Sequence, residues 1–208
     1  MNNQGGFSEF EVKDTSIRFL DSETEAKRAG CVGKLESTMD TKTISKKCEG
    51  IEVKSITKGT GTGTGKISLH MNYKIYLESF GMLSDGLIKG VYGYGNKSRH
   101  KPFCLSAHAF DEDDNEKYIA YPNTVITSGH ARTIENGAEE VAEIELDLKF
   151  MPDEEGYGCY EALASELEND SVKESWITNF SSDLVKKTVP QLSLIHISEP
   201  TRQAEISY

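Results

Sequence analysis

The sequence predicts a mainly β protein of the α+β class: an antiparallel β-sandwich or half-barrel with one or two flanking helices. Long stretches alternate apolar and polar residues with a period of two, which is typical of strands buried on one face. Gly-rich and acidic segments separate these stretches, as turns do. Helical spacing is clear only near the C-terminus. The 208 residues suffice for one domain with a sizeable core.

Residues 1–15 are polar and Gly-rich, so they predict an N-terminal arm rather than a core element. The β domain is predicted to span 16–187, beginning with an alternation at Ile17 and Phe19. The clearest strand covers 66–77, where every second residue is large and apolar. Its end has a second interpretation, because 73–82 also fits a short helix.

The stretch 51–56 precedes an alternating Gly-Thr run, so 51–77 is predicted to be a long hairpin with that run at its flexible tip. The glycines of the tip are Gly59, Gly61, Gly63 and Gly65.

The remaining elements follow from the same patterns. Extended chain is predicted at 103–109, 118–121, 125–134 and 142–150. A helix is predicted over 172–180, with Asp170 or Ser171 as its cap, and a second short one over 161–167. The acidic run 111–116 lies between two strands and predicts a solvated hairpin tip.

The composition excludes several classes of protein. The formal charge of −11 argues against a domain that grips nucleic acid, because phosphate binding normally requires a basic surface. No apolar run reaches the roughly 20 residues of a membrane span, and the first residues do not form a secretory signal. We therefore expect synthesis in a cytoplasm. The four cysteines form no CxxC pair and are expected to be reduced.

No motif indicates a catalytic, cofactor or metal site. The Gly-Thr run fails as a phosphate loop, since Thr60 stands where the first Gly is required and Ile67 follows Lys66. The run 111–116 fails as a calcium loop, because Glu116 occupies the Gly position and Pro122 that of the bidentate Glu. The histidines have no zinc-ligand spacing.

A series of weaker motifs in fixed order carries a family resemblance over residues 10–187. After the Gly-Thr run come Tyr76-Leu77-Glu78-Ser79-Phe80-Gly81-Met82, Gly86-Leu87-Ile88-Lys89-Gly90-Val91-Tyr92-Gly93-Tyr94-Gly95, Asn123-Thr124-Val125-Ile126-Thr127-Ser128-Gly129, Arg132-Thr133-Ile134-Glu135-Asn136-Gly137-Ala138, Met151-Pro152-Asp153-Glu154 and the helix around Trp176. Together they resemble the major tail proteins of long-tailed phages and prophages of Gram-positive bacteria.

The resemblance implies a structural virion protein without catalytic activity, cofactor or membrane contact. It implies a tail-tube subunit, assembled in the bacterial host cytoplasm, that forms stacked hexameric rings with copies of itself. Other tail proteins such as the tape measure and the tail terminator are expected partners, and DNA passes through without specific binding. Glu143, Glu145 and Asp147 are predicted to line the wet, lumen-facing side. The 51–77 hairpin is predicted to contact the next ring.

Residues 192–208 resemble one reading frame of a translated sequencing adapter. We therefore expect 188–208 to be a non-native or disordered tail and exclude it from the fold.

Two other functions remain open on the sequence. A phage connector or a carbohydrate-binding β-sandwich would use an exposed aromatic platform, for which Tyr92, Tyr94 and Trp176 are candidates. An enzyme with scattered active-site residues would use His100 or His130.

Overall fold

A computed structural model describes residues 6–21, 25–132, 134, 136–137 and 140–187. The predicted tail 188–208 and the first five residues of the predicted arm lie outside these ranges. The elements in chain order are β1 (Glu11–Phe19), β2 (Lys27–Arg28), β3 (Gly30–Cys48), β4 (Ile51–Met71), α1 (Tyr73–Ser79), β5 (Phe103–Phe110), β6 (Glu116–Ile126), β7 (Ile144–Met151), β8 (Tyr160–Leu163), α2 (Asp170–Asn179) and a 3-10 helix (Ser182–Val185). The predicted class, mainly antiparallel β with two helices, is confirmed.

The strands form one sheet in the order β2-β1-β5-β6-β7-β4-β3, with β8 added beside β6. Ala29 alone separates β2 at one end of this order from β3 at the other. Its N–H donates to the carbonyl of Thr15 in β1, and its carbonyl accepts from Asn72 just after β4. The sheet therefore wraps round and closes on itself at Ala29, giving a barrel-like wall.

The main core fills the inside of this wall. On β7, Leu146, Leu148 and Phe150 face inward and are buried, whereas Glu145 and Asp147 face outward. The other inward side chains come from β1, β4, β5, β6 and α1: Ile17, Phe19, Ile67, Leu69, Ile75, Tyr76, Phe80, Phe103, Leu105, Ala109, Ile119, Tyr121 and Ile126.

Helix α2 covers the outside of the barrel as a second layer. Its Trp176 is 2% exposed and packs with Phe180 against Cys104, Tyr118 and Ala120. The end of α2 is fixed to β1, because the Ser16 hydroxyl donates to the Ile177 carbonyl (2.5 Å) and the Arg18 guanidinium donates to the Phe180 carbonyl (2.6 Å). The helix predicted over 172–180 is present, but Asn169, rather than Asp170 or Ser171, caps it.

Several predicted bounds differ from the structure. The strand predicted over 66–77 ends at Met71, and Asn72 caps α1, which agrees with the alternative helical interpretation. The helix predicted over 161–167 is wrong, since 160–163 pairs with β6 as β8. Backbone pairing overrides the weak helical spacing there. Strand β1 begins at Glu11, inside the segment predicted as an arm.

The hairpin predicted over 51–77 is also wrong. Residues 51–71 form one continuous strand whose partner is β3, and the turn lies at Glu49 and Gly50, both with positive φ. From Gly61 onward, the Gly-Thr run is therefore in the wall of the barrel rather than at a tip.

The four cysteines are free and differ sharply in exposure, which predicts their reactivity. Cys31 and Cys48 are exposed, whereas burial raises the pKa of both the Cys104 and the Cys159 thiol to about 12. Because the thiolate is the reactive form, we expect alkylation at pH 8 to modify only Cys31 and Cys48 in the folded protein. Mass spectrometry against time measures this, with a denatured sample as the control. Equal rates at all four thiols in the folded protein would contradict the described core.

Candidate assembly surfaces

The outer halves of β3 and β4 form a two-stranded ribbon, residues 41–60, which we call the arm. Every residue of the arm is exposed, so it stands clear of the barrel. Eight residues from Thr41 to Cys48, at about 3.4 Å each, give it a length of roughly 27 Å. An unpacked ribbon of this length is marginal on its own and is typical of a segment that contacts a partner.

The arm has an inverted sequence repeat that places like residues opposite each other. Cα partners are Lys42 and Lys58, Thr43 and Thr57, Ile44 and Ile56, Ser45 and Ser55, and Lys46 and Lys54. Side chains alternate between faces, so one face carries the isoleucine pair between two lysine pairs and the other carries Thr and Ser. Ile44 is 54% and Ile56 41% exposed. Strand β3, and with it the arm, is not predicted from the sequence, although the repeat Thr-Ile-Ser-Lys followed by Lys-Ser-Ile-Thr is a usable hairpin signal.

A β-bulge on β4 marks the root of the arm, where Thr60, Gly61 and Thr62 lie opposite the single residue Asp40 of β3, between the pairs Met39–Gly63 and Thr41–Gly59. The Asp40 carboxylate accepts from the Thr62 hydroxyl (2.9 Å) and from Lys149 on β7 (3.4 Å). These two hydrogen bonds hold the pKa of Asp40 below its ordinary value. The root is thus tied to two neighbouring strands.

The glycines of the Gly-Thr run provide room on the inner side of β4. A Cβ on Gly65 would lie 2.4 Å from the Glu36 carbonyl oxygen and 2.7 Å from the Phe150 ring. Gly61 has a φ of +75° and lies against the carbonyl of Gly156 in the loop after β7. Gly63 lies against Met39 in the same way, whereas Gly59 belongs to the exposed arm. The run is therefore a strand whose inner face carries no side chains, and its threonines face outward.

The predicted wet-face residues Glu143, Glu145 and Asp147 are all exposed on the outer side at β7. Asp147 lies opposite Lys66, with 3.7 Å between carboxylate and ammonium, and Lys34 pairs with Glu36 on β3. The outer face of β3, β4 and β7 therefore mixes both charges instead of being purely acidic. Whether it lines a lumen stays a prediction.

One end of this face holds an open cleft of about 600 Å³, which we call the acidic cleft. It is lined by Ser68, His70, Glu140, Val141, Ala142, Glu143 and Glu145. The Glu143 carboxylate lies over β3 at Gly33, where a Cβ would approach it to 2.2 Å. Within the described part of the chain, none of the three cleft glutamates makes an ion pair.

The aromatic platform predicted for the alternative function is not formed, because Trp176 on α2 is buried against the barrel. Tyr92 and Tyr94 are 41% and 44% exposed, in an apolar loop that leads from α1 to β5. A planar platform needs all its rings at the surface, so Tyr92 and Tyr94 do not form the predicted set with Trp176.

The two histidines proposed for an enzyme lie near each other beside Tyr94. The His100 ring bonds the Tyr94 hydroxyl (2.9 Å) through Nε2 and the Ile126 carbonyl (2.7 Å) through Nδ1, and His130 stacks on the Tyr94 ring. When a neutral His100 donates its Nδ1–H to the Ile126 carbonyl, its Nε2 accepts a hydrogen bond from the Tyr94 hydroxyl. This arrangement packs the loop against Phe80 at the end of the core.

Among the described residues, no group of three or more His, Cys, Asp or Glu side chains is placed to hold a metal ion. The same residues include no helix of a length and apolarity suited to crossing a membrane.

Comparison with known proteins gives a loose likeness. No protein-family model matches the sequence, and no curated protein matches it. Among solved structures, the chain is similar to the cryo-EM structure of the anti-feeding prophage cap, described as the AFP tube terminating cap. The likeness covers 79% of this chain and 99% of that chain, with 10% sequence identity and a TM-score of 0.41.

Proposed function

We propose that this chain is a structural tail-tube subunit of a phage or phage-like particle, which assembles with copies of itself as stacked hexameric rings around a DNA conduit. The observation that carries this proposal is the arm. A 20-residue basic and apolar ribbon, every residue of which is exposed, projects from an otherwise acidic barrel. Such a segment gains stability only when it binds a neighbour.

The negative charge of the molecule suits a DNA conduit better than a nucleic-acid-binding protein. Six subunits of −11 each would carry a strongly negative total, and phosphate would be repelled wherever that charge faces the lumen. Glu143, Glu145 and Asp147 are the proposed lumen residues, although Lys34 and Lys66 beside them weaken the local field. DNA would therefore slide past without specific binding.

The remaining partners follow from the position of such a subunit in a tail. The ends of a tube made of this chain would meet a tail terminator, and its lumen would hold a tape measure before DNA passes. The apolar loop between α1 and β5 offers further exposed contact surface: Leu83, Leu87, Ile88, Val91, Tyr92 and Tyr94.

Negative-stain electron microscopy of purified protein, with particle mass measured by light scattering, tests the proposal. Tubes or six-fold rings are the expected result at high protein concentration. Protein that stays monomeric at every concentration, with its arm intact, would refute it.

A further inference from the structure

We propose that the arm of one copy docks, with its isoleucine and lysine face, into the acidic cleft of a second copy. The pairing rests on the proposed self-assembly; it covers Glu143 and Glu145 with the arm of a neighbour and leaves Asp147 as the proposed lumen residue. It joins the arm face of Ile44, Ile56 and their flanking lysines to the cleft around Val141.

The arm presents uncompensated positive charge. Residues 41–60 contain five lysines and two glutamates, which leaves 18 basic and 32 acidic residues in the rest of the chain. Within the described residues, none of the five lysines makes an ion pair. Two cross-strand pairs, Lys42 with Lys58 and Lys46 with Lys54, place like charges opposite each other. Like charges in this position destabilise a ribbon, so the free arm gains from an acidic partner.

The acidic cleft is complementary in both charge and polarity. Glu140, Glu143 and Glu145 line the same cleft as Ala142 and Val141, and Val141 is 83% exposed. An apolar centre flanked by carboxylates matches an apolar centre flanked by ammonium groups. Burial of the isoleucines against Val141 supplies area-dependent affinity, and the charges fix the register.

The two surfaces lie at opposite ends of the same strand. Residues 51–60 of β4 belong to the arm, whereas Ser68 and His70, near its other end, line the cleft. Thr60 of the arm and Ser68 of the cleft are eight residues apart on β4, roughly 26 Å along an extended strand, so the arm lies far from the cleft of its own chain. The contact is therefore head-to-tail between copies, and a head-to-tail contact that does not close extends indefinitely along one direction.

Site-specific cross-linking of the whole chain tests the pairing. One variant carries Ile44→Cys and another Val141→Cys, both in a background with the exposed Cys31 and Cys48 changed to Ser. The variants are mixed and exposed to air with copper phenanthroline as the catalyst. Oxygen then accepts two electrons and two protons from each pair of thiols, which becomes one disulfide. A covalent dimer is expected, because a disulfide needs Cα atoms within about 7 Å. Thr43→Cys, one residue away on the opposite face of the arm, is the matched control and should give little dimer.

The outcomes separate the pairing from the proposed function. Rings or tubes without a covalent dimer of the Ile44→Cys and Val141→Cys variants overturn the pairing and leave the function standing. The dimer without rings or tubes supports the pairing and removes the function. Binding of duplex DNA or anionic vesicles, with no dimer, assigns the arm to a polyanion and overturns the pairing.

Charge exchange provides a second measurement on the same surfaces. The double variant Lys46→Glu/Lys54→Glu should lose self-association, because its acidic arm meets an acidic cleft. Association should return when it is mixed with Glu143→Lys/Glu145→Lys. Loss without such rescue contradicts the assignment of the cleft. Association of the unchanged protein should also weaken as salt rises from about 0.05 to about 0.5 M, since exposed charges are screened over roughly 10 Å at 0.1 M.

Discussion

Replacing Phe150 by alanine is expected to lower the free energy of unfolding by about 3–5 kcal/mol. The ring is fully buried, and its centroid lies 4.1 Å from that of Tyr121 in a nearly parallel stack. It also fills the space over Gly65, where β4 has no side chain to close a cavity. Because the surrounding wall is held by backbone hydrogen bonds, it can collapse only slightly. Denaturant unfolding followed by circular dichroism measures the loss.

Glu145→Ala on the same strand is the matched control, and we expect a change within about 0.5 kcal/mol because the side chain is exposed and unpaired among the described residues. Phe150→Leu keeps the variant measurable if the alanine form does not fold, and should cost less. Gly65→Ala should itself destabilise by about 1–3 kcal/mol, since its Cβ meets the backbone carbonyl of Glu36. Equal effects of Phe150→Ala and Glu145→Ala would contradict the inward direction of Phe150.

Replacing residues 42–58 by an Asn-Gly turn is expected to abolish self-assembly and leave a folded monomer. Thr41 and Gly59 are paired across the ribbon, so a two-residue turn can join them without changing the register below. The removed residues are all exposed and make no core contact, so the unfolding free energy of the barrel should change by no more than about 1 kcal/mol. Light scattering, electron microscopy and denaturant unfolding measure mass, assembly and stability on one sample.

Variants that keep the ribbon separate the contribution of its apolar face to assembly from the contribution of the ribbon itself. Thr43→Ser/Thr57→Ser alters the Thr and Ser face while retaining the paired hydroxyls, which lie 2.9 Å apart, and should assemble normally. Ile44→Ser/Ile56→Ser alters the opposite face and should assemble poorly. Full assembly of the shortened chain would show that the arm is dispensable.

The fold was predictable where a strand has a strict apolar face. Around Leu146 and Leu148 on β7, burial on one side leaves the alternation in the sequence, and the strand lies within two residues of its predicted bounds. Helix α2 was predictable because Trp176 and Phe180 anchor one helical face.

The arm and the Gly-Thr run could not be predicted from apolar alternation, because neither has large apolar side chains along a buried face. Both faces of the arm are exposed, so its strands show no apolar alternation, and only the inverted repeat records their pairing. Gly61 and Gly63 were assigned to a tip because glycine favours turns, yet here they make room for neighbouring backbone and Met39. The acidic cleft combines Ser68 of β4 with Glu145 of β7, and only the sheet register brings them together.

The course of β4 from the arm into the barrel wall has a mechanical consequence. A pull on the arm along its axis passes directly into the barrel wall, where seven consecutive residues from Gly63 to Leu69 pair with β7. Antiparallel hydrogen bonds lie perpendicular to the strands, so such tension loads them together in shear instead of peeling them one by one. The two-stranded ribbon outside the wall has no third strand to stiffen it and twists more freely. Each copy would thus resist stretching while allowing bending at the arm.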